Sequence, residues 1–182
     1  MFRTAQVRPG ATVAVVGCGG VGLAAVNGAA IAGASRVIAV DMSPSKLALA
    51  RQLGATDTVD AREGDVVARI AEMTGGGVEY AFECIGLPST FEQCFRMLTA
   101  GGIATIVGLF QPGARASIEG GQFFQEKQIR GSAMGSARIR EDIPRLVEFY
   151  RQGRLDLQSL VSQRIRLEDI NEGFAAMKTG DT

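Results

Sequence analysis

An apolar, mostly β-branched run, Thr12–Val16, leads directly into Gly17-Cys18-Gly19-Gly20-Val21-Gly22. The run has the character of a strand buried on both faces. From there to about residue 34 the side chains are mostly small and suited to a buried helix. The glycines fit G-x-G-x-x-G at the strand-to-helix turn, where the spacing has a physical meaning. Gly17 permits the tight turn, Gly19 lets backbone approach a pyrophosphate, and Gly22 lets the helix pack against the strand. The helix N-terminus then offers free N–H groups and the positive end of its dipole to phosphates. Gly20 lies in the same loop. Part of the chain's glycine excess, 24 in 182 residues against roughly 7% in an average protein, is thereby accounted for.

A glycine turn alone is a weak signal, and here it has a second part. A second apolar run, residues 36–40 (RVIAV), ends at Asp41, 19 residues after Gly22. That is the place for a carboxylate accepting hydrogen bonds from an adenosine ribose diol. It would repel a 2′-phosphate, so NAD is favoured over NADP. An ordinary turn aspartate is the plainer alternative. A methyltransferase would also place an acid here, but the three-glycine spacing favours a dinucleotide. Further on, Ile85, Gly86, Val107, Gly108 and Leu109 fall at carboxyl ends of strand-like runs, where open parallel sheets hold ligands. Ile85 could pack on the adenine-ribose side and Val107 on the nicotinamide ribose. Strand-end packing alone would place them there too.

The pattern between these points alternates. Strands are expected at 56–59, 78–84, 103–107 and 128–133, after the two already named. Helices are expected at 44–53, 65–73 and 88–98, the first capped by Ser43 with Pro44 at its first position. Gly101-Gly102 is expected to turn the chain into the fifth strand, and residues 123–127 to form a short helical turn. Strands joined by helical crossovers imply a parallel sheet covered on both faces. The expected class is α/β: a doubly wound six-stranded parallel sheet of the dinucleotide-binding (Rossmann) type with a C-terminal helical tail. Residues 1–134 form the NAD-binding domain and 135–182 a separate segment. In the tail, helices are expected at 141–150 and 168–178, and a strand at 164–167.

Composition narrows the chemistry. The chain has no histidine, which excludes Ser-His-Asp or Cys-His catalysis and an imidazole zinc site. Cys18, Cys84 and Cys94 form no CxxC pair, and three cysteines cannot make a four-cysteine site. All three read as small buried residues, and a reducing, cytoplasmic setting is expected. Lys plus Arg and Asp plus Glu balance at 19 each, giving no overall attraction to nucleic acid or an anionic membrane. No residue from 9 to 35 is charged, long enough to span a bilayer or to imitate a signal-peptide core. Seven glycines interrupt that run, and no Trp or Tyr flanks it.

With these residues in place, the chain resembles the cofactor-binding domain of the zinc-containing medium-chain alcohol dehydrogenases, nearest the glutathione-dependent formaldehyde dehydrogenase branch. The likeness is carried by GCGGVGLAAVNGA, GASRVIAVDMSPSKLALARQLGATD, GGGVEYAFECIG, IVGL, QIRGSAMGS, DIPRLVEFYRQGRL and LEDINEGFAAMKTG, which together cover almost the whole chain. The resemblance implies that Gly17, Gly19, Gly20 and Gly22 form the pyrophosphate loop and that Val21 packs on the nicotinamide ring. It implies Asp41 and Lys46 at the ribose, Ile85 and Gly86 at adenosine, Val107 and Leu109 beside the nicotinamide, and the Met134 backbone at the carboxamide. It also implies a homodimer paired through the edge strand between Gln128 and Ala133.

The departures carry expectations too. The family holds its catalytic zinc in an N-terminal domain, through two cysteines and a histidine. No residue here matches those ligands, so no catalytic or metal-binding residue is assigned within the chain. The family's terminal arginine for the pyrophosphate is not found before Asp181-Thr182. The tail normally packs on the other domain, and alone it should leave apolar surface uncovered. The chain is therefore expected to be the NAD-binding half of an alcohol dehydrogenase, inactive alone. A non-catalytic dinucleotide-binding or dimerisation module is the alternative. A zinc-free quinone or enoyl reductase half using NADPH is another, and Asp41 speaks against it.

Overall fold

The structure, a computed structural model, describes residues 1–179; Asp181 and Thr182, the end at which a terminal arginine is expected in the family, lie outside the described residues. Strands and helices alternate through the first part: β1 (Thr12–Val16), α1 (Gly20–Ile31), β2 (Arg36–Asp41), α2 (Pro44–Gln52), β3 (Asp57–Asp60), α3 (Val66–Thr74), β4 (Val78–Glu83), α4 (Pro88–Arg96), β5 (Leu98–Ile106) and β6 (Gln128–Gly131). The six strands form one sheet in the order β3-β2-β1-β4-β5-β6, every pair parallel. The order reverses between β1 and β4, which makes this the doubly wound arrangement and opens a crevice at their carboxyl ends.

Strand alternation divides the core in two. On one face Val13, Val15, Val37, Ala39, Tyr80 and Phe82 pack with Leu23, Val26 and Ala29 of α1 and Leu47 and Ala50 of α2. On the other, Ala14, Val16, Ile38, Val40, Ala81 and Ala104 pack with Val66 and Ile70 of α3 and Cys94 and Phe95 of α4. Each large side chain so buried contributes about 1.5–3 kcal/mol. The uncharged stretch from 9 to 35 is therefore β1, its turn and α1, and no described helix is long and apolar enough to cross a membrane.

Several local expectations are corrected. β5 begins at Leu98, not after Gly101-Gly102; Leu98 pairs with Val78, Ile103 with Tyr80, and the residues between form a bulge. Ser43 occupies the N-cap of α2 but makes no cap bond; its hydroxyl pairs with Ser45 instead. Asp65 is a working cap, its carboxylate accepting from Val67 and Ala68 N–H, and Gly75 ends α3 in the left-handed conformation. Residues 164–167 form no strand: Leu167–Asp169 is a 3-10 turn, and the residues before it are irregular. Cys84 is half-buried, unlike Cys18 and Cys94.

The tail carries α5 (Ile139–Arg151) and α6 (Ile170–Thr179). Polar ties dock its first part on the sheet domain, Arg154 donating to the Ile31 carbonyl and Thr4 to the Ser136 hydroxyl among them. Asn27, buried in α1, donates to the carbonyls of Leu53 and Arg154 and accepts from Asp156 N–H at 3.1 Å. Arg3 forks onto Asp142 of α5 and also reaches Glu141. The apolar side of both helices stays exposed, including Leu146, Val147, Tyr150, Phe174 and Met177. This is the uncovered surface expected of the tail.

Candidate functional site

Gly17 leaves β1 with φ +92°, a conformation L side chains rarely adopt. A Cβ at Gly17 would collide with the Ile85 side chain, and one at Gly22 with the Gly17 carbonyl. The turn and the close packing of α1 on β1 thus depend on hydrogen-only positions. Gly19 and Gly20 differ: a Cβ at either would meet nothing within 4 Å. The space above them is open, and no side chain caps α1, so its first turn presents unclosed N–H groups to that space. A cradle of this shape fits a phosphate group.

Asp41 ends β2 beside this loop. Its Oδ2 accepts from Cys18 N–H at 2.7 Å and its Oδ1 from Ser43 N–H at 2.9 Å. A carboxylate has about four acceptor positions, so capacity remains for a diol. Lys46 follows in the first turn of α2, half-buried and close enough to act electrostatically on Cys18. Burial, with Asp41 nearby, pushes the Cys18 thiol up to about 12. Burial likewise carries Cys84 up to about 12 and raises Cys94. Thiols so raised stay protonated and are poor nucleophiles.

The far side of the crevice is built by the ends of β4 and β5. Gly86 has φ +95°, and a Cβ there would strike the Leu109 backbone. Gly108 approaches Gly86 equally closely. Val107 and Gly108 donate to the Glu83 carbonyl at 2.9 and 3.0 Å. The segments holding Gly17, Ile85-Gly86 and Gly108-Leu109 therefore touch one another, and Cys18 joins them to Asp41. Met134 stands apart. It lies beyond β6 in a 3-10 turn with φ +50° and is 95% exposed. The cofactor-site positions singled out in the sequence lie at or just beyond the carboxyl end of a strand. Val21, Ile85 and Leu109 give the crevice an exposed apolar rim.

Sequence reading missed three members of this setting. Met42 and Leu87 are exposed apolar residues just beyond β2 and before α4. Glu83 is wholly buried, its Oε1 accepting from Ile85 and Gly86 N–H and from the Thr90 hydroxyl. Nothing local marks it in the sequence, because Glu79 stands in the same run, VEYAFE. A hollow of about 370 Å³ lies in the tail, beside Gln163, Arg166 and Asp169. Among the described residues, no group of three or more His, Cys, Asp or Glu is placed to hold a metal ion.

Comparison with known proteins shows the family and the fold. A family model described as zinc-binding dehydrogenase matches residues 20–152. The S-(hydroxymethyl)glutathione dehydrogenase of Synechocystis sp. is 38% identical over 183 residues, covering 99% of this chain and 50% of that protein. Benzyl alcohol dehydrogenase from Acinetobacter calcoaceticus superposes with a TM-score of 0.94 at 35% identity, covering 98% of this chain and 49% of its own. A zinc-binding dehydrogenase of Sinorhizobium meliloti 1021, solved bound to NADP, gives a TM-score of 0.85 at 34% identity, covering 92% and 49%. The chain spans about half the length of the curated relatives it matches.

Proposed function

The chain belongs to the zinc-binding dehydrogenase family, and from that membership we propose that residues 1–134 bind NAD(H) for hydride exchange between an alcohol and its aldehyde in the complete protein. The observation carrying this reading is the open cradle over Gly19 and Gly20 with the Asp41 carboxylate beside it. When bound, the nicotinamide supplies the hydride acceptor or donor. The chain's own residues bind and orient. Backbone N–H groups from Gly19 to Gly22 face the pyrophosphate, and Gly17 sets the turn. Asp41 and Lys46 hold the adenosine ribose. Ile85 and Gly86 face adenosine. Val21, Val107, Leu109 and the Met134 backbone fix the nicotinamide.

Preference for NAD over NADP follows from Asp41, whose negative charge opposes a 2′-phosphate. The NADP-bound neighbour supports the dinucleotide class and makes the 2′-phosphate an outcome to measure. Polarisation of the substrate oxygen by zinc would come from a catalytic domain outside these residues, a reading supported by the family's description as zinc-binding dehydrogenases. The exposed apolar side of α5 and α6 supports docking of residues 135–182 on that domain. The unpaired outer side of β6, last in the sheet, supports a homodimer through its edge. Three unpaired thiols suit a cytoplasmic setting.

Fluorescence titration of the chain with NADH and NADPH, and a turnover assay with NAD, zinc and primary alcohols, test the proposal. Binding with NADH preferred and no turnover is expected. Sustained turnover by the chain alone, or tighter NADPH binding, would overturn it.

A further inference from the structure

Glu83 is a carboxylate 0% exposed to solvent at the end of β4. Burying a carboxylate is costly unless partners compensate. Three donors converge on Oε1: Ile85 N–H at 3.0 Å, Gly86 N–H at 2.8 Å and the Thr90 hydroxyl at 2.7 Å. Oε2 has no partner among the described residues. It faces Gly108, where a Cβ would lie 2.5 Å away. The main-chain carbonyl of Glu83 meanwhile takes the N–H groups of Val107 and Gly108. One residue thus ties together the end of β4, the end of β5 and the first turn of α4.

A hydrophobic residue would fill this volume without the desolvation cost, so packing alone does not account for a carboxylate. What the carboxylate does that an alkyl group cannot is hold two successive N–H groups, those of Ile85 and Gly86. Gly86 sits at φ +95°, and the Ile85 side chain rests where a Cβ on Gly17 would be. The shape of this turn therefore fixes both the adenosine side of the crevice and the clearance of the glycine loop. We propose that Glu83 is a positioning residue for the dinucleotide, acting through the Ile85-Gly86 turn. The inference rests on the dinucleotide reading given above.

Amide hydrogen exchange at Ile85 and Gly86, and NADH affinity by fluorescence, are read in the chain and in E83L, E83D and E83Q. E83L removes the acceptor, and E83D withdraws it by one methylene. Both are expected to weaken NADH binding at least fivefold and to speed exchange at those two amides at least tenfold. E83Q keeps a carbonyl oxygen for the same N–H groups and is expected to restore affinity to within threefold. If E83L fails to fold, E83D decides. Unchanged NADH affinity in folded E83D, whatever its exchange rates, would overturn the inference alone. So would a loss in E83Q as large as in E83D, because the acceptor would then not be the operative feature. Failure of the unsubstituted chain to bind NADH would instead overturn the dinucleotide reading, and this inference with it.

Discussion

The backbone N–H of Cys18 donates to Asp41 Oδ2 across 2.7 Å. The carboxylate that would select the cofactor thus also anchors the loop that would hold its pyrophosphate. Hydrogen bonds to charged groups are worth about 1.5–3 kcal/mol, so Asp41→Ala should act twice. NADH affinity should fall about tenfold or more, and the NADH-to-NADPH preference should shrink towards unity as the repelling charge goes. Asp41→Asn, which keeps an acceptor for Cys18, should lose the preference with a smaller loss of NADH affinity. Paired titrations measure both, and an unchanged preference in either variant would contradict the assignment.

The glycines of the loop should separate by variant. In Gly22→Ala the new methyl would overlap the Gly17 carbonyl, and overpacking costs about 1–3 kcal/mol or more. For a domain of this size that is a melting-point drop of roughly 2–4 °C per kcal/mol. Gly19→Ala adds a methyl into open space at an ordinary φ of −72°. It should leave thermal stability almost unchanged and weaken NADH binding. Equal destabilisation by the two would show that the space above Gly19 is not a ligand cradle.

Asn27 ties α1 to the tail through Arg154 and Asp156. Asn27→Ala strands the Asp156 N–H and the carbonyls, a loss of about 1–3 kcal/mol. Limited proteolysis should then cut near residues 153–160 faster, with the sheet domain left intact. Cleavage at an unchanged rate would mean the tail is held elsewhere.

Acid should weaken the fold in a defined window. Arg36, forked on Asp57, holds that carboxyl below the usual range, and Arg62 brings Asp60 down to about 2. A depressed native value means the stabilisation is complete above the unfolded value, near 4, and is lost as pH falls through the native one. The urea midpoint should therefore decline between about pH 4 and pH 2. The decline should be shallower in Asp57→Asn, and an identical slope would remove Asp57 from the account.

The sheet was legible because its evidence is local. β1 and β2 are continuous apolar runs, the glycine spacing marks the first turn, and Asp41 follows at a fixed offset. What sequence missed depends on distant neighbours. The pairing of Leu98 with Val78 starts β5 early, and no local signal sets Gly101-Gly102 apart from an ordinary turn. Residues 164–167 alternate like a strand, but among the described residues no strand pairs with them to supply the other half of a ladder. Glu79 and Glu83 look alike in VEYAFE. One is part-exposed and accepts from Thr12 N–H, while the other is buried under the crevice. Only the fold separates them.

The most direct measurement is amide chemical-shift mapping of the chain titrated with NADH. The account predicts the largest saturable shifts at Cys18–Gly22 together with Asp41, Ile85 and Gly86, at the carboxyl ends of β1, β2 and β4. Saturable shifts confined to another surface, or none at these residues up to millimolar NADH, would contradict it.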